Sequence, residues 1–91
     1  MKLARVIGQV WATAKDETLV GKKILLVRPL DLEGRARGTA YLALDTVDAG
    51  AGDEVLIVDE GASAGQVLEL DNPPIRTVIV GVVDQVHLGP A

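Results

Sequence analysis

Asp45, Asp48, Asp53 and Glu54 crowd one short stretch of the chain, threaded by Gly50, Ala51 and Gly52. Paired carboxylates can serve acid–base catalysis, and clustered ones can bind a hard cation. The spacing here fits neither task. Asp45-x-x-Asp48 followed by Asp53-Glu54 lacks the alternating ligands of a calcium loop. An Asp flanking a turn commonly accepts hydrogen bonds from nearby backbone N–H groups instead. Gly50-Ala51-Gly52 has no Lys-Ser/Thr after it, so it is not a phosphate loop. The single imidazole, His87, stands in the tail with no nucleophile beside it. Asp84 is a further isolated carboxylate. The expectation is no catalytic residue, no metal and no cofactor, with the glycine loop as a place of close approach or positive φ.

The elements that must carry this loop are short and apolar. Leu42 to Leu44 enters it and Val55 to Val58 leaves it; runs of this length bounded by Gly and Asp read as buried strands. Upstream, Leu3 to Thr13 puts Ala4, Val6, Val10 and Ala12 on one face, with Gly8 as a bulge or bend and Trp11 packing at the end. Lys23 to Leu30 is a second strand that Pro29 ends. Asp31 to Gly38 reads as a hairpin turn whose Arg35 and Arg37 lie in solvent, the alternative being that they contact a partner protein. Thr39 to Leu44 is the third strand and Thr77 to Val83 the fifth. Ser63 is placed to cap a brief helix over Ala64 to Leu68, with Gly65 weakening it. The predicted class is all-β, either a small closed barrel of five strands or a compact antiparallel sheet with one short helix.

At 91 residues the chain is sized for one domain, expected to span 1–91. A domain this small hides only about 60–65% of its unfolded surface. Yet 48% of its residues are hydrophobic, nearly all aliphatic, which hints that some apolar surface is covered by other subunits. It has no cysteine, so disulfides and thiolate zinc sites are excluded. The formal charge of −4 argues against nucleic acid as a partner. No run approaches the roughly 20 apolar residues of a membrane span, and Met1 to Arg5 does not open a signal peptide. The expected compartment is the cytoplasm, with no membrane partner.

Four stretches, in this order and spacing, resemble the EutN/CcmL family of bacterial microcompartment vertex proteins. They are Arg5-Val6-Ile7-Gly8-Gln9-Val10-Trp11-Ala12-Thr13, Leu25-Leu26-Val27-Arg28-Pro29-Leu30-Asp31, the segment from Asp45 to Leu56, and Ile79-Val80-Gly81-Val82-Val83-Asp84-Gln85-Val86. Three positions depart from the family pattern. Asp48 stands where Gly is frequent, Gly65 replaces an arginine, and Arg76 replaces an acidic residue. The resemblance implies an OB-like barrel, a homopentamer that closes the vertices of a polyhedral shell, and hexameric shell proteins as neighbours. It implies a structural role without catalysis, in a carboxysome or a metabolosome. Residues expected near a subunit boundary or the central pore are Asp45, Gly50, Ala51, Gly52, Gly61, Ser63, Ala64 and Gln66. The competing expectation is a monomeric OB-like module that binds a small ligand or peptide.

Overall fold

Alternation of inward and outward side chains governs the strands. The computed structural model describes residues 1–11, 22–59 and 75–89. Its strands are β1 (Lys2–Val10), β2 (Lys23–Pro29), β3 (Tyr41–Asp45), β4 (Glu54–Val58) and β5 (Val78–Val82). Alternate residues are buried in three strands, Ala4 and Val6 in β1, Leu25 and Val27 in β2, Val55 and Ile57 in β4, whereas β3 buries Ala43 and Leu44 and β5 buries Val78 and Ile79 in succession. Aliphatic and β-branched side chains suit this pleated, half-buried surface.

The strands pair in the order β1-β2-β3-β5-β4, and β4 pairs back onto β1, closing a barrel. Of the two architectures open from sequence, the closed barrel is the one formed. All contacts are antiparallel except that of β3 with β5, which is parallel. That contact was not expected. It follows because β4 intervenes in sequence, so the chain returns to β3 in the same direction. No helix occurs among the described residues; the helix expected over Ala64 to Leu68, and its Ser63 cap, lie outside them.

Gly8 does mark a bulge. Val6 is opposite Val27 and Gly8 opposite Leu26, so Ile7 is the extra residue, and it faces solvent. Trp11 departs from expectation: it is 85% exposed. β1 ends at Val10, so its side chain has already left the wall of the barrel.

The interior is filled by Ala4, Val6, Leu25, Val27, Ala43, Val55, Ile57 and Ile79, with Ala49 entering from the loop between β3 and β4. Small side chains at Ala4, Ala43 and Ala49 fit a narrow lumen. Tyr41 packs against this cluster, and its buried hydroxyl has no hydrogen-bond partner among the described residues. Nearby, Lys2 Nζ is 2.6 Å from Asp59 Oδ2. Burial pushes the Tyr41 phenol above its usual pKa, with the Asp59 charge adding and Lys2 opposing. The hydrogen bond from Lys2 holds the Asp59 carboxyl below the usual carboxylate value.

Two measurements check this end of the barrel. Tyr41→Phe removes a desolvated hydroxyl that gains nothing in return, so the urea midpoint should stay level or rise; a loss beyond about 1 kcal/mol would reveal a partner for the phenol. The Asp59 contribution is present above the unfolded carboxylate value and fades as pH falls through the lower folded one. Asp59→Asn should therefore flatten the fall in stability below about pH 4, read from thermal midpoints across pH.

Candidate functional site

The loop between β3 and β4 is anchored by the same carboxylates that looked available for chemistry. Asp45, the last residue of β3, accepts hydrogen bonds from Val47 N at 3.0 Å and Ala49 N at 2.9 Å, one to each oxygen. Its side chain is 1% exposed. Asp53 Oδ2 accepts from Gly50 N at 2.9 Å, and Asp53 N donates to Gly50 O at 3.0 Å, closing the turn over Ala51 and Gly52. Both Asp residues thus act on backbone N–H groups, as their turn positions predicted.

The loop is also tied to three strands. Gly52 N donates to Val6 O at 2.8 Å and Val6 N to Asp53 O at 2.9 Å, which extends the β1–β4 ladder up to the bulge. Thr46 Oγ1 donates to Ile79 O in β5 at 2.6 Å. Lys23, opposite Asp45 in the β2–β3 register, donates to Ala49 O at 2.6 Å and to Asp48 Oδ1 at 3.1 Å, with Asp45 Oδ2 at 3.5 Å. Lys23 was not singled out from sequence as part of this arrangement. The hydrogen bond to Asp48 is the main reason its pKa is raised.

Backbone conformation accounts for two residue types. Asp48 has φ 58°, the left-handed region that glycine occupies most easily. Asp is tolerated there because its short polar side chain can hydrogen-bond locally. Gly52 has φ 90°, whereas Gly50 shows no positive φ. No described atom lies within 4 Å of a Cβ built at Gly52, so its freedom of rotation, rather than a close neighbour in the chain, is what it supplies.

Of the residues expected at a boundary or pore, Asp45 is turned inward, while Ala51 and Gly52 are exposed at the loop tip. Gly61, Ser63, Ala64 and Gln66 lie outside the described residues. Asp84 is exposed, and among the described residues His87 Nε2 meets Gln85 Oε1 at 2.7 Å. Among the described residues no three His, Asp or Glu side chains converge as metal ligands would. On the hairpin turn, Asp31 Oδ1 accepts from Glu33 N and Arg35 N, both at 3.0 Å, and Arg35 and Arg37 are exposed as expected.

A family model described as "Ethanolamine utilisation protein EutN/carboxysome" matches residues 1–84. The "Bacterial microcompartment shell vertex protein EutN" of Salmonella typhimurium is 37% identical over 89 residues, covering 98% of this chain and 89% of that protein. The "Bacterial microcompartment shell vertex protein GrpN" of Rhodospirillum rubrum is 42% identical over 87 residues, covering 96% and 97%. The solved structure described as "GrpN pentameric microcompartment shell protein from Rhodospirillum rubrum" superposes with a TM-score of 0.85 at 37% identity, covering 98% of this chain and all of that one.

Removing the Asp45 anchor should be costly, because two N–H groups of the loop lose a charged acceptor. Asp45→Ala is expected to lower stability by about 2–4 kcal/mol in urea denaturation. A change below about 0.5 kcal/mol would mean that water replaces the carboxylate without penalty.

Proposed function

The chain belongs to the EutN/CcmL family, and on that premise we propose that it is a structural shell protein whose homopentamers cap the vertices of a bacterial microcompartment. The observation that carries this is near end-to-end similarity to vertex proteins, one of them solved as a pentameric shell protein. Its place is the shell, within the bacterial cytoplasm. The monomeric binding module has no comparable support.

Several finer points belong to the same proposal. The chain works as one domain, without catalysis, and the pentamer sits among hexameric shell proteins. Its carboxylates support this division of labour: Asp45 and Asp53 hold a loop in shape rather than facing a substrate. A five-fold ring is built head to tail, so two unlike faces of each subunit must meet. The tip at Gly50, Ala51 and Gly52, together with Gly61, Ser63, Ala64 and Gln66, is assigned to the approach between subunits or to the axis.

Native mass spectrometry at micromolar concentration should show five times the chain mass; a monomer would remove the proposal. Ala51 is exposed, so a large side chain there does not burden the barrel itself. Ala51→Arg should raise the concentration needed for half-assembly at least about tenfold, worth some 1.4 kcal/mol, with an unchanged thermal midpoint for the monomer. Unaltered pentamers would place the tip away from both neighbours and axis.

A further inference from the structure

The pairings that close this barrel are of unequal length. β1 and β2 pair from Ala4–Pro29 to Val10–Ile24, and β2 and β3 from Lys23–Asp45 to Val27–Tyr41. β1 and β4 pair from Lys2–Ile57 to Arg5–Glu54, and β4 and β5 from Val55–Val82 to Val58–Val78. Among the described residues, β3 and β5 pair only at Leu44–Val78 and Asp45–Ile79, with one further bond from Leu44 N to Thr77 O at 2.9 Å. This is also the parallel contact, whose slanted bonds are slightly less stable per residue.

The local sequence explains why that contact stops. Leu56 is opposite Gly81 and Ile57 opposite Ile79, so Val80 is an extra residue in β5. A bulge bends the strand that carries it, and β5 pairs with β3 no further than Ile79. At that point Thr46, the first residue after β3, donates Oγ1 to Ile79 O at 2.6 Å. A side chain thus takes the place of the next rung. Asp45 contributes no side-chain bond there, because its carboxylate accepts from Val47 N and Ala49 N.

Burial does not offset the short ladder. Parting β3 from β5 uncovers Leu44, Val78 and Ile79, whereas parting β1 from β2 uncovers Ala4, Val6, Leu25 and Val27. The aliphatic side chains at stake are similar in kind, but far fewer rungs hold the first pair together.

We propose that the β3–β5 contact is a latched slit: the line along which the barrel opens locally, with the Thr46 hydroxyl as its latch. β5 stays on β4 when the slit opens, held by their longer ladder and by the bond from Val83 N to Glu54 O at 2.8 Å. Folded domains open in parts below the cost of global unfolding, starting where pairing is sparse. This inference does not depend on the pentameric reading.

The test uses the full chain and hydrogen exchange resolved to single amides by mass spectrometry. In the unaltered protein the Leu44 amide, bonded across the slit, should exchange at least about tenfold faster than the ladder amides between β1 and β2. Thr46 is exposed, so Thr46→Val keeps its shape and removes only the hydroxyl. That variant should speed Leu44 exchange roughly three- to tenfold and leave the β1–β2 amides unchanged, and Thr46→Ser should restore the original rate. A Leu44 amide as slow as the β1–β2 amides in the unaltered chain overturns the slit. A Thr46→Val variant that leaves Leu44 exchange unchanged, or that speeds every amide alike, overturns the latch.

Discussion

Closure of the ladder is the constraint from which the rest of this molecule follows. β4 pairs back onto β1 through Lys2 to Arg5, and β5 joins β3 in parallel, so every strand has a neighbour on both sides. A ring of only five strands has a narrow lumen, and alternate positions along each strand must point outward. The lumen takes Ala, Val, Leu and Ile side chains, but the chain holds more aliphatic residues than such a lumen can enclose. The surplus appears outside, as Ile7, Leu32, Leu42 and Val86. Exposed apolar surface on a barrel without edges favours association by packing over strand addition, and a shell subunit needs that kind of association.

The acidic loop illustrates how the same residue types serve structure when their partners are backbone groups. Asp45 and Asp53 each accept hydrogen bonds from N–H groups a few residues away, and Lys23 bridges the loop to β2. The result is a rigid corner that delivers Ala49 to the core and the Ala51–Gly52 tip to the surface. The Asp45 side chain is 1% exposed with both oxygens engaged by loop N–H groups, so it is not presented to a substrate. The chemistry has gone into shaping a building block.

Much of the fold was legible before any coordinates. Strand positions followed from short aliphatic runs bounded by Gly, Asp and Pro, because period-two burial leaves a local mark. The bulge at Gly8 was legible for the same reason, as was the use of Asp45 within its turn. Family membership was legible too, since ordered motifs such as Val6-Ile7-Gly8 and Asp45 to Leu56 need no geometry to be read. Other features left no such mark. Trp11 looked like a packing residue, and its exposure depends on where β1 stops and which strands are beside it. Lys23 reaches Asp48 and Ala49 only because β2 and β3 bring distant residues into register.

Sequence alone determined the alternation, the turns, the acidic balance and the kinship, because each is a local pattern or an ordered set of motifs. Tertiary structure alone decided which strand pairings close the sheet, that β5 lies parallel to β3, that Asp48 adopts a left-handed backbone, and which aliphatic side chains remain outside. The physical reason is that closure is a pairing between segments far apart in the chain. Whether a given leucine faces the lumen or solvent depends on the register of those pairings, which no single stretch of residues contains.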